Sequence, residues 1–197
     1  MKHFFQYVCL VILGLLLSGC GYNEIQRLDE QVKAAWSQTL NQYERRADLV
    51  PKLVNSVDAY MSHEKQVLTQ VTEARAQVGQ IKISAQDLDN PALMQRFAEA
   101  QNQLGSALAR LLAVAENYPQ LKSDGLFRDL LTQLEGTENR IATERQRYVQ
   151  AIRDYNVFIR QFPNLITAKV LGYSTLDNYG MDRASELMRD PEVRFSQ

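Results

Sequence analysis

Three groups of side chains in this chain have types and spacings that can do chemistry. The first is His63 beside Glu64, a histidine–carboxylate neighbourhood of the kind that serves as a base or a metal ligand. Adjacent residues on a helix point about 100° apart, so these two cannot easily share one ligand. Zinc also wants several His, Cys or carboxylate ligands at defined spacing, and no such set accompanies His63. The second group is Glu138, Glu144 and Arg145, which with Thr137 stand where an apolar stripe should continue. Glu64 and Arg75 occupy stripe positions of an earlier segment, and Arg46 and Asp48 lie just before Pro51. Carboxylates facing a bundle core can hold paired metals, but that pattern also needs Glu-x-x-His, which is missing here. What remains is ionic chemistry. One form is a Glu–Arg layer that fixes helix register. The other is a polar groove that receives a partner's chain. The third group is Glu116, Asn117 and Tyr118, ahead of Pro119. Loops carry function more often than cores do, which makes this a possible partner loop. Its plainer reading is a helix stop, because Pro119 disfavours helix at Tyr118. Nucleophile elbows, P-loops and Gly-rich phosphate loops are absent from the sequence. We therefore expect no catalytic residue, no metal, no cofactor and no small-molecule substrate, and the chain does not read as an enzyme.

The elements that must position these residues are helices. Phe127, Leu134, Ile141, Tyr148, Tyr155 and Phe162 recur every seven residues, with Leu130, Leu131, Ile152, Phe158 and Ile159 between them. This 3–4 spacing predicts one long helix over Ser123–Phe162, roughly 60 Å in length, laid along other helices. Ile25, Leu28, Val32, Ala35, Trp36, Leu40 and Tyr43 predict a first helix over Asn23–Ala47. Pro51 lacks an amide donor and clashes with the preceding turn, so we expect a break near Ala47–Pro51. A kinked continuous helix would instead keep one heptad phase through the proline, as Trp36, Tyr43, Val50, Val57, Glu64, Val71 and Val78 do. A second helix is expected over Leu49–Lys82, with breaks at Ser84–Asn90 and at Tyr118–Lys122. Pro91 then opens a third helix, capped by Asn90 or Asp89, whose apolar face reads as uninterrupted from Leu93 to Ala115. The fold class is all-α, an antiparallel up-and-down bundle of about four long helices with short connections. Residues 174–197 read as a loosely ordered or draped irregular tail.

The N-terminus is a targeting segment. Lys2 precedes an apolar run from Phe4 to Leu17 that is too short for a comfortable membrane span. Leu17-Ser18-Gly19-Cys20 resembles the lipobox of bacterial lipoproteins. The resemblance implies that residues 1–19 are a signal peptide and that Cys20 carries diacylglycerol and an N-acyl chain. Two or three such chains anchor firmly. By analogy with enteric lipoprotein sorting, Gly21 favours the outer membrane. Losing Lys2 takes a chain of 22 basic and 23 acidic residues from net −1 to −2. Charges of both signs are interspersed, and no basic patch is interleaved with aromatics, so nucleic acid is not an expected partner.

Tyr22-Asn23, Ala35-Trp36-Ser37-Gln38 and Arg45-Arg46-Ala47-Asp48-Leu49-Val50-Pro51-Lys52-Leu53-Val54 resemble the LemA family. So do Glu73-Ala74-Arg75-Ala76, Glu116-Asn117-Tyr118-Pro119-Gln120-Leu121-Lys122 and Thr137-Glu138-Asn139-Arg140-Ile141-Ala142. Phe162-Pro163-Asn164-Leu165-Ile166 and Pro191-Glu192-Val193-Arg194-Phe195 complete the set. The resemblance implies a membrane-anchored, extracytoplasmic helical bundle over residues 20–173. Members of that family usually carry a transmembrane anchor, where this chain has a lipobox. The expected function is a lipid-anchored periplasmic interaction or structural module of the bacterial envelope, with an envelope protein as partner. The alternatives are an adaptor or regulator of an envelope protease or membrane-repair system, and a lipid or metal carrier using the bundle core.

Overall fold

The computed structural model describes residues 2–61 and 63–177, with side chains from Gly21 onward. Among the described residues six α-helices follow in order: α1 (Lys2–Asp58), α2 (Lys65–Gln80), α3 (Pro91–Ala115), α4 (Pro119–Ser123), α5 (Gly125–Arg160) and α6 (Asn164–Leu171), with a 3-10 turn at Ala85–Asp87. The described residues contain no strand. The ends of the helices are set locally. The Asn90 side chain accepts from the Leu93 amide at 3.1 Å, and Pro91 fills the first turn, where its missing N–H is no loss. Asp124 caps α5 by accepting from the Phe127 amide at 2.9 Å. Pro119 opens α4, a short helix where a plain connection was expected.

Helix direction follows from cross-helix pairs. Trp36 stacks on Tyr148, Arg46 pairs with Glu138, and Tyr60 just beyond α1 bonds to Asp124. Rising numbers on α1 meet falling numbers on α5, so these two helices are antiparallel in a single register. Trp36 with Phe97 and Arg46 with Gln101 make α3 parallel to α1. The arrangement is the expected up-and-down bundle. Its longest packing runs between α1 and α5, while α2 lies on α3.

Pro51 does not break the chain. α1 continues through it to Asp58, 57 residues or about 85 Å in all. The expected helices Asn23–Ala47 and Leu49–Lys82 are therefore wrong: Leu53 and Val57 belong to α1, and α2 starts only at Lys65. Two features make the proline tolerable. Pro51 itself is exposed, so the carbonyl it leaves unpaired one turn earlier lies towards the solvent side. The buried residues Leu49, Val50, Leu53 and Val57 hold the same stripe on either side of it, and their burial favours a continuous helix.

The core is split in two. At one end Leu53, Val57, Val71, Leu104, Leu111, Leu121, Phe127 and Leu134 pack together from α1 to α5. At the other, Ile25, Val32, Trp36, Met94, Phe97, Tyr148, Ile152 and Tyr155 form a second cluster rich in aromatic rings. Truncating a buried leucine such as Leu104 would cost about 2–5 kcal/mol. The α5 stripe is buried as predicted from Phe127 to Tyr155. Phe162 departs from it. The helix stops at Arg160, and Phe162 is turned out to solvent.

Candidate functional site

The gap between the two apolar clusters is filled by polar side chains. Thr39, Arg46, Gln101 and Thr137 are the buried polar residues described. Thr39 and Thr137 are satisfied within their own helices, each hydroxyl donating to the carbonyl four residues back, Ala35 at 3.0 Å and Gln133 at 2.8 Å. Arg46 is the hub. Its Nη1 donates to Glu138 Oε1 at 3.0 Å and Oε2 at 3.2 Å, across α1 and α5. Its Nη2 donates to the Gln101 side-chain oxygen and to the Gln101 carbonyl at 3.2 Å, across to α3. The guanidinium also lies 5.2 Å from the Tyr43 ring centroid, a cation–π distance. One arginine thus ties three helices at one height.

Burial in this layer is uneven. The Arg46 side chain is 6% exposed and that of Glu138 is 43% exposed. The carboxylate therefore keeps part of its hydration while it neutralises a buried charge. Arg46 Nε and Gln101 Nε2 are buried without a hydrogen-bond partner. On one flank the layer meets an open groove of about 480 Å³ along α1, α2 and α3, lined by Tyr43, Asp48, Ile81, Phe97 and Gln101 among others. Burial pushes the Tyr43 phenol above its ordinary pKa, against the opposing pull of Arg145 and Arg46. That pull places Arg145 in electrostatic reach of the layer, although its side chain is exposed.

The other predicted residues are distributed elsewhere. Glu144 is half-buried on α5 and pairs with Arg147 at 2.8 Å. Asp48 is exposed and lines the groove. Arg75 is on α2 with its Nε buried and without a hydrogen-bond partner. Glu64 is not part of a shared polar middle. It sits at the start of α2, at the end of the bundle, and accepts from the Tyr118 hydroxyl at 3.3 Å. That links Glu64 to the Glu116–Tyr118 loop. Burial first, and Glu64 next, push the Tyr118 phenol up. Tyr60 makes a matching tie to Asp124 at 3.2 Å. Glu116 and Asn117 are exposed. Glu116 borders a groove of about 350 Å³ with Leu112, Phe127, Arg128, Leu131 and Glu135.

Sequence reading missed Thr39 and Gln101. Gln101 stands four residues after Phe97 and three before Leu104, so it interrupts the α3 face that read as uninterrupted. Thr39 stands seven residues after Val32 and was equally open to detection by phase. No group of three His, Cys, Asp or Glu side chains among the described residues could hold a metal ion. The Cys20 side chain lies outside those described, as do residues 178–197 with the Pro191–Phe195 motif. Among the described residues, no helix is long and apolar enough to cross a membrane.

Comparison with known proteins adds the following. The LemA family model matches residues 35–195. Magnetosome protein MamQ 1 of Paramagnetospirillum magneticum is 35% identical over 80 residues, which cover 41% of this chain and 29% of that protein. Magnetosome protein MamQ of Magnetospirillum gryphiswaldense is 31% identical over 80 residues, with the same coverage. Protein LemA of Metamycoplasma hominis is 25% identical over 167 residues, covering 85% of this chain and 71% of that protein. The chain spans 29% of the length of the magnetosome relatives it matches.

Proposed function

From the premise that the chain belongs to the LemA family, we propose that it is a membrane-anchored helical module presenting interaction surfaces at the bacterial envelope. The observation that carries this reading is the course of α1. The helix already includes Cys20 and runs on into the bundle as far as Asp58, so a domain anchored at Cys20 would follow its anchor without a flexible linker. Such a mount holds the bundle at a set height above the lipid. In this proposal the anchor is the acylated Cys20, the domain faces the periplasm, and Gly21 directs it to the outer membrane. The Arg46–Glu138–Gln101 layer keeps the long helices in register, and no step of chemistry is assigned to it.

The proposed partner contact is the end of the bundle furthest from the anchor. There the Glu64–Tyr118 and Tyr60–Asp124 ties stiffen the turns, and the groove beside Glu116 offers Leu112, Phe127 and Leu131 between charged rims. An apolar floor with a charged border is the usual make-up of a protein-binding patch. The same patch would serve the second reading, an adaptor or regulator of an envelope protease or membrane-repair system.

Two experiments test these readings. Palmitate labelling in cells should be lost in Cys20→Ala, and labelling that persists in that variant overturns the lipid anchor. Photo-crosslinking from Glu116 and Leu131, compared with an exposed site on the far side of the bundle, should yield a discrete adduct only from the groove. Equal adduct patterns from all positions would remove the groove as the partner site.

A further inference from the structure

Five of the exposed large apolar side chains fall within ten residues of one another. Phe162 is 82% exposed, Val170 78%, Ile166 57% and Leu171 47%, with Leu165 also exposed. They crowd onto α6 and the residues leading into it. The inner side of α6 is spoken for, because Ala168 is buried in the aromatic cluster and the helix rests on α1 and α5. Among the described residues, the side chains on its outer side are exposed. Soluble monomers rarely expose so much contiguous apolar surface without a use for it.

Two further observations say what covers it. The first is position. α6 lies against the start of the described α1 side chains: a Cβ on Gly21 would stand 2.8 Å from Asn164 Oδ1 and 3.9 Å from Thr167 Oγ1. Gly21 directly follows Cys20 and the apolar run that ends at Leu17. Tyr22, a half-exposed phenol of the kind that settles at lipid headgroups, is the next residue. The second is charge. From Tyr155 to Leu176 the chain has Arg160 and Lys169 as its charged residues and no Asp or Glu. Asp154 and Asp177 bound that stretch, and an apolar face carrying these two cations suits an anionic lipid surface.

The patch is also held in place. The Tyr173 amide donates to the Ala168 carbonyl at 2.9 Å, and the Tyr173 hydroxyl is bonded to Gln26 on α1. The Tyr155 hydroxyl donates to the Ser174 carbonyl at 3.1 Å. Asn156 exchanges two bonds with the Leu176 backbone, at 2.7 and 2.9 Å. These stitches fix the direction in which α6 presents its outer face.

We propose that α6 and Phe162 form a second membrane contact, an interfacial element whose apolar face seats in the headgroup and upper acyl region beside the anchor. The proposal deepens the membrane-anchored reading and rests on it. With Cys20 it makes a two-point attachment, which sets the tilt of the bundle as well as its height.

The test uses the full-length chain, processed in cells and reconstituted in phosphatidylethanolamine–phosphatidylglycerol vesicles. An environment-sensitive fluorophore is attached at Phe162→Cys, Ile166→Cys or Val170→Cys, and at Leu126→Cys as an exposed site at the far end of the bundle. These side chains face outward, so retained Trp36 emission should report a retained fold. Quenching by lipids with a nitroxide high on the acyl chain should be at least about twofold stronger at Ile166 and Val170 than at Leu126. Equal quenching at all sites on a chain that floats with the vesicles overturns the proposal and leaves the anchor standing. Shielding of Val170 with no lipid quenching, together with crosslinks between copies, overturns it in favour of a second chain as occupant. A chain that does not float overturns the anchored reading, and this contact falls with it.

Discussion

Glu138→Ala removes the carboxylate that neutralises Arg46 and leaves the rest of the bundle in place. Its cost can be bounded from the layer's geometry. A fully exposed ion pair is worth about 0–1 kcal/mol, and orphaning one member of a fully buried pair costs about 3–5 kcal/mol. Here the arginine is buried and the carboxylate is 43% exposed, so water can partly replace the lost partner. Arg46 also keeps its bonds to the Gln101 side chain and carbonyl. The two lost contacts are charge-assisted and share one donor nitrogen, so they count as little more than one strong bond, about 1.5–3 kcal/mol. The expected destabilisation of Glu138→Ala is therefore about 2 kcal/mol. Arg46→Met with Glu138→Leu and Gln101→Leu removes both charges and the buried amide that Arg46 satisfies, and fills the space with apolar atoms. That triple variant should lie within about 1 kcal/mol of the parent, because no side chain of the layer is left unpaired. The assay is urea unfolding of the detergent-purified chain followed by the single tryptophan, Trp36, which packs on Phe97 and Tyr148 beside the layer. If Glu138→Ala costs less than about 0.5 kcal/mol, the pair is not the lock described here. A triple variant as unstable as the single one would refute the account of why the single one is unstable.

The remaining predictions are simpler. Pro51→Ala restores the hydrogen bond that the proline withholds inside α1, and thermal melting followed by circular dichroism should show stabilisation of about 1–3 kcal/mol; a loss would mean that the proline shapes a bend the bundle requires. Asn90→Ala deletes the α3 cap and should cost about 1 kcal/mol in the same melt, with Asn90→Asp close to the parent. Burial raises the Tyr155 phenol from 10.0 to about 12, so the folded state holds this proton more tightly than the unfolded chain does. Its contribution is full below pH 10 and is lost as pH rises towards 12, so alkaline unfolding should be steepest in that window and shallower in Tyr155→Phe.

Much of the fold was legible because helix formation is read from near neighbours. The seven-residue recurrence from Phe127 to Tyr155 marks one face of a helix whatever surrounds it. Asn90-Pro91 and Asp124 mark helix starts through the chemistry of unpaired amides. The polar interruption at Thr137–Glu138 was visible for the same reason, as a wrong residue type in a known phase. Pro51 shows the limit of local reading. A proline counts against a helix by its own geometry, while the stripe through Val50, Leu53 and Val57 counts for it by burial, and only packing decides between them.

That decision reorders the candidate site. Ending α1 at Asp58 instead of Ala47 carries the turn about 16 Å further along the bundle. Glu64 then arrives at the tip beside Tyr118, and Gln101, unremarked in the sequence, arrives opposite Arg46. By itself the sequence determined the helical class, the start of α3 at Pro91, the buried stripe of the long helix, and the kinship with the LemA family. These depend on residue type and spacing within a few turns. The tertiary structure decided which polar side chains meet and which apolar ones are left uncovered. Helical phase states which face a residue is on, and the relative heights of packed helices, set by the whole bundle, state what stands across from it.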